Sequence, residues 1–320
     1  FKKKSFRQFC EANQDYHKNE ETTCAAYQSM QDFEKLFPDI AEKYFDLRFD
    51  EENQYGNAFG YGRKYANKQN CESCSEQQKS WEDAYLGLLP FDEVIKRYFQ
   101  KEMDLQCLTY PEIDCVNYSK EILADWFCEK LLEVNISDIF DIVCKYPSTE
   151  EVLPSNIPQF SDFNDVYIKA PEILGLCGHP MSFEELGTYL DNGKGKTETA
   201  QRKYGENHSK LAALLDLSVI SASNNTYKAA ISVLGVAYAK RSDSDKKKLT
   251  ARLLFRVPVM QKMLIDALSA EVAIDDEISC LAAQTKKRRK PNISTILKFI
   301  IDEVSDEELS LSAALKNVKG

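Results

Sequence analysis

Five consecutive cations, Lys286, Lys287, Arg288, Arg289 and Lys290, stand directly before Pro291 and an apolar stripe. Five like charges repel one another. Such a run is therefore a solvated loop, a localisation signal or a surface for a polyanion. Ile293, Ile296, Leu297, Ile300 and Ile301 follow at i, i+3, i+4, i+7 and i+8, the period of a helix with one buried face. Its polar face offers Asn292, Ser294, Thr295 and Lys298. Pro291 suits a first helical turn, so the basic run is expected in the turn before the helix. The positive end of the helix dipole adds to its field. Cations that hold phosphates, beside polar side chains that reach base edges, are what a duplex requires.

A second stretch repeats this division of labour. In "TAQRKYGENHSKLAALLDLSVI" the pattern predicts a helix from Glu198 to Tyr204, a break at Gly205, and a further helix after Asn207. Leu211, Leu214 and Leu215 would face inward, and His208, Ser209, Lys210 and Ala213 outward, with Lys203 just ahead. Polar residues at that helix start would read bases while the lysines hold phosphates. The competing reading is a solvated face on a module that binds proteins.

Other reactive residue types are sparse. Cys71 and Cys74 form a CxxC half-site, and a zinc tetrahedron needs two more ligands. Cys177 with His179, or Cys10 with Cys24, are the residues at hand. No second close pair exists, so free thiols are expected and no metal or other cofactor is assigned. "GYGRKYANK", 60–68, is aromatic and basic and could stack on a strand, but the pattern is short and common. Residues 1–193 hold no Asp/Glu-x-Lys; the chain has no Walker loop, G-x-S-x-G or HExxH, and only three histidines. Catalytic residues stay unknown. A divalent metal would enter only with an endonuclease whose acidic residues lie in the first half or outside this sequence.

These residues need elements to hold them. The first half reads as helices: Tyr27, Met30, Phe33, Leu36 and Phe37 share a face, and further helical patterns run through 80–89, 90–103, 118–134 and 137–146. Asp50 to Gln78 breaks the period and reads as a long loop. Pro147, Pro154 and Pro158 mark a linker. After it, Ser182 and Glu185 form a capping box. Two short strands, "LSVIS" and "YKAAISV", flank "ASNNT", and asparagine tolerates the backbone that hairpins need. The expected fold is mainly α: an acidic helical domain over 1–146, a linker over 147–170, a winged-helix module over 171–240, and a helix-turn-helix module over 241–320 without an evident hairpin.

Charge divides the chain. Residues 1–193 carry 19 Lys and Arg against 36 Asp and Glu, and residues 194–320 carry 22 against 15, which gives nets of −17 and +7 within the total of −10. The basic half suits a polyanion, and the acidic half suits a protein partner. No stretch reaches the roughly 20 apolar residues of a membrane span, so no membrane partner is expected. Ten cysteines at irregular spacing, several among apolar residues as Cys128 is, point to a reducing cytoplasm.

The order of "TAQRKYGENHSKLAALLDLSVI", "LTARLLFRVPVMQKML" and "ISTILKFIIDEV" resembles the C-terminal winged-helix pairs of prokaryotic restriction and phage-defence proteins, over roughly 180–300. The resemblance implies duplex DNA binding and, by association, a place in restriction-modification or phage defence. It supplies no catalytic residue. A DNA endonuclease and a protein-interaction adaptor are the alternatives.

Overall fold

The computed structural model describes residues 79–105, 120–194, 197–223, 226–304 and 309–320. The helical face expected from Tyr27 to Phe37, the loop expected over 50–78 with Cys71 and Cys74, the 60–68 stretch, and Cys10 and Cys24 lie outside the described residues.

The chain is mainly α-helical, with one small sheet and one two-residue strand pair among the described residues. Helical turns at 79–85 lead into α1 (Phe91–Phe99), α2 (Lys120–Glu133) and α3 (Ile136–Lys145). Pro90 ends the connection before α1, and the Asn135 side chain accepts from Ser137 N to start α3. Val94, Ile95, Tyr98 and Phe99 form the buried face of α1. Trp81 and Tyr98 pack on Phe127 of α2 with ring centroids 5.0 and 4.6 Å apart.

After an irregular passage the chain turns helical again at 163. A π-helical turn, Asp165–Lys169, runs into α4 (Ala170–Cys177). Pro171 explains the widened turn: its ring cannot sit above a regular i−4 carbonyl, and Ala170 N reaches back to Asp165 O instead. Gly178, left-handed at φ 64°, ends the helix.

A compact order follows: β1 (Met181–Ser182), α5 (Phe183–Leu190), α6 (Glu198–Leu214), β2 (Ser218–Ser223) and β3 (Thr226–Ile231). The expected capping of α5 is present, with Glu185 N donating to Ser182 Oγ at 3.1 Å. The two expected strands pair antiparallel from Ser218 opposite Ile231 to Ser223 opposite Thr226. β1 adds to the far edge of β3, Met181 opposite Ala229, giving the order β1–β3–β2. Leu174, Met181, Phe183, Leu186, Leu190 and Ile231 close a small core between this sheet and the helices.

The remainder is α7 (Val233–Ala239), α8 (Asp243–Leu253), a 3₁₀ turn at Leu254–Arg256, α9 (Pro258–Asp266), β4 (Val272–Ala273), α10 (Ile274–Glu277), α11 (Ala283–Ile301), α12 (Leu309–Asn317) and β5 (Val318–Lys319). The sequence α9–β4–α10–α11 repeats the order α4–β1–α5–α6. Where the first set continues into a hairpin, the second continues into α12, and β5 pairs parallel with β4. One large core, from Trp81 through Ile157 and Phe255 to Leu315, runs beneath all of these elements. No helix among the described residues is long and apolar enough to cross a membrane.

Two helix boundaries differ from the sequence pattern. Gly205 does not break α6, which is continuous over 17 residues. A Cβ at Gly205 would lie 1.9 Å from Phe183 O, and one at Gly187 would lie 1.9 Å from Gln201 O. The glycines are there to let two backbones touch. Pro291 is inside α11, not at its first turn, and the basic run forms helical turns rather than the turn before. A proline here removes the amide that would bond to Lys287 O, a cost of about 3 kcal/mol. The fully buried Ile293, Ile296 and Ile300, with Leu297 beside them, hold the helix through it. Ile301, expected on that stripe, is 50% exposed.

Candidate nucleic-acid interface

α6 begins at Thr197, whose side chain accepts from Ala200 N at 3.2 Å. It ends at Asp216, left-handed at φ 62°. Asp216 N bonds to Ala213 O and Leu217 N to Ala212 O, at 3.0 and 2.9 Å, the paired bonds of a Schellman cap. Glycine usually takes this position, and a side chain there costs roughly 1–2 kcal/mol. Asp216 keeps it because its buried carboxylate accepts the Tyr98 hydroxyl at 3.1 Å. Arg256 lies over the Tyr98 ring, 4.0 Å from its centroid, and donates to Tyr98 O at 2.7 Å. The C-terminus of α6 is thus anchored in the main core.

The face that α6 shows to solvent differs from the expected one. His208 and Ser209 are fully buried rather than outward. Because α6 continues through Gly205, the helical phase is set by the Gly187 contact and by Leu211, Ala212 and Leu215, and that phase turns both residues inward. Ser209 Oγ donates to Gly205 O at 2.7 Å. His208 Nδ1 donates to Tyr204 O at 2.7 Å, while Nε2 accepts from the amides of Ser161 and Asp162 at 3.4 and 3.5 Å. These partners fix the neutral Nδ1–H tautomer. Burial lowers the imidazole pKa below its ordinary value. Tyr204 stacks on this ring at 4.1 Å and donates to Asp165 Oδ2 at 2.7 Å. Burial, then Asp165, raises the Tyr204 pKa.

Lys203 and Lys210 are exposed as expected, and Lys210 is paired with Glu206 at 2.5 Å. Arg202 is also exposed and was missed by the sequence reading; the signal was its place beside Lys203 on the hydrophilic side of the true helix. Ala213 is half-buried.

The basic run of α11 divides into two groups. Arg289 Nη1 donates to Pro154 O and Ile157 O at 2.5 and 2.8 Å. Burial, then the adjacent Arg288, lowers its pKa. Lys290 pairs with the Asp275 carboxylate, and Lys286 Nζ reaches Asp275 O at 3.3 Å. Asn292, expected on the polar face, is 8% exposed and donates to Phe160 O at 2.6 Å. These four are tied to the protein itself. Lys287, Arg288 and Lys298 stay exposed, as do Ser294 and Thr295, whose hydroxyls bond back to the carbonyls of Lys290 and Pro291. Arg202, Lys203, Lys287, Arg288 and Lys298 make no ion pair with any described residue.

No three His, Cys, Asp or Glu residues gather as a metal site would require among the described residues. Cys177 is half-buried, and His179 Nδ1 faces Pro180 O at 3.4 Å. Burial pushes the Cys128 thiol up to about 12.

No protein-family model matches the chain, and neither curated protein sequences nor solved structures yield a match.

Proposed function

We propose that this protein binds duplex DNA through two exposed cationic helix faces, Arg202 and Lys203 on α6 and Lys287, Arg288 and Lys298 on α11. The observation that carries this reading is that each face lies on the long last helix of the same helix–strand–helix–helix order. In the first set, the hairpin β2–β3 and the pairing of β1 on β3 support a winged-helix module, and the second set supports a helix-turn-helix module whose wing is replaced by α12 and β5. Unpaired cations on an exposed helix gain most from a polyanion, because each neutralised phosphate releases counterions. Ser294 and Thr295, about two turns beyond Lys287 and Arg288 and one turn before Lys298, are of a type that reaches phosphates and base edges. By the resemblance in element order, the binding serves restriction or phage defence.

The test is a salt titration of duplex binding by fluorescence anisotropy. Lys287→Gln with Arg288→Gln should flatten the log–log salt slope by about 1.8, two phosphate contacts' worth. No duplex binding at low salt ends the proposal, and would turn attention to a protein ligand for the same helices.

A further inference from the structure

We propose that the Pro-rich segment 154–162 is a stiff bracket that holds α6 and α11 at a fixed spacing, so that both cationic faces close on one continuous duplex. This rests on the duplex reading above. Pro154 and Pro158 have no amide hydrogen and restrict their own and the preceding backbone. Such a segment forms no regular ladder, and its polar groups need outside partners. They are shared between the two helices by type. The carbonyls of Pro154, Ile157 and Phe160 go to α11, through Arg289 and Asn292. The amides of Ser161 and Asp162 go to α6, through His208. Ile157 is buried in the main core, and Phe160 packs on Phe163, which packs on Phe299 of α11 with centroids 5.1 and 5.0 Å apart.

Between the helices lies an open cleft of about 170 Å³, with Ile157 and Gln159 from the bracket, Asn207 and Lys210 from α6, and Arg289 from α11 in its walls. Lys203, Asn207 and Lys210 follow one another at helical steps of four and three, a row that runs from the open face of α6 to this cleft. On the far side, the exposed Arg288 is the neighbour of Arg289 along α11. Glu206 also lines the cleft and pairs with Lys210, so the unpaired cations, Arg202 and Lys203 on α6 and Lys287 and Arg288 on α11, stand beyond its walls. A duplex laid across it meets both faces at once, and the second contact becomes intramolecular.

The experiment uses the full chain and random-sequence duplexes of about 10 and about 25 base pairs, one and more than two helical turns. The longer duplex should show a salt slope steeper by about 1.8. On it, neutralising either face alone, Arg202→Gln with Lys203→Gln or Lys287→Gln with Arg288→Gln, should weaken binding at least tenfold. Two independent sites would lose about twofold at most. Arg289→Met with Asn292→Leu, which frees the bracket, should lower long-duplex affinity toward the short-duplex value and leave short-duplex affinity as it was. If that variant does not fold, the exposed-face variants still decide. Equal slopes at both lengths, or losses of twofold or less from each face, overturn the bracket and leave duplex binding standing. Absence of binding to either duplex at low salt overturns both.

Discussion

Gly187 and Gly205 meet backbone to backbone where α5 crosses α6: a Cβ on Gly205 would stand 2.8 Å from Gly187 N, and one on Gly187 would stand 2.9 Å from Gly205 N. Neither atom can move without moving a helix. Gly205→Ala should therefore destabilise the fold by about 1–3 kcal/mol, read as a lower urea midpoint at unchanged slope. Gly175 is the control, because a Cβ there meets only Ala239 Cβ at 4.0 Å. Gly175→Ala should stabilise by about 0.5–1 kcal/mol through helix propensity. Equal midpoints for the two variants would mean that α5 and α6 do not cross at this point.

Arg288 and Arg289 are neighbours in sequence and should be opposites in stability. Arg288 is exposed, so Arg288→Ala should change unfolding free energy by less than about 0.5 kcal/mol. Arg289→Ala leaves the carbonyls of Pro154 and Ile157 short of a donor and should cost about 1–3 kcal/mol. Chemical denaturation of the two single variants measures it. Indistinguishable curves would detach Arg289 from the 154–162 segment.

Stability should fall as pH drops, in part through His208. Its folded pKa lies below the unfolded value of about 6.5. The unfolded chain then binds the proton more readily. The stabilisation is whole above about pH 6.5 and is lost as pH falls through that value toward the folded pKa. Urea midpoints for wild type and His208→Gln at pH 7.5 and 5.5 isolate the effect. Wild type should lose more across that interval, and parallel losses would refute it.

Tyr98→Phe removes the hydroxyl that bonds to the buried Asp216 carboxylate and should cost about 1–3 kcal/mol. Native-state hydrogen exchange adds a local readout. The amides of Asp216 and Leu217 should exchange faster in the variant, since the cap of α6 loses the anchor that keeps aspartate left-handed. Unchanged exchange at both amides would show that the cap stands without Tyr98.

The sequence made the helical class, the Ser182 cap, the two hairpin strands and most of the α11 stripe legible, because each rests on contacts within a few residues. Gly205 and Pro291 were misread for one reason. Both usually stop helices, and what overrides them is distant: Phe183 O and Gly187 in one case, the core beneath Ile293 and Ile300 in the other. The error at Gly205 carried over to His208 and Ser209, since a helix restarted at Asn207 has a different phase. Lys203, Lys210, Lys287, Arg288 and Lys298 were legible as surface. Arg289 and Asn292 were not, because nothing local reveals that Pro154, Ile157 and Phe160 have carbonyls to be satisfied.

The bond from Tyr98 to Asp216 joins residues 118 apart, and Arg256 reaches Tyr98 across 158. On the ribosome, at roughly 5–20 residues per second, Tyr98 waits about 6–24 s for its acceptor to be synthesised, and longer for the guanidinium that covers its ring. Until then, the surface that Trp81, Tyr98 and Phe127 later bury has no second wall. The nascent chain therefore carries an aromatic patch while the 118 residues from Tyr98 to Asp216 are made, and a holdase chaperone is the kind of molecule that would find it there.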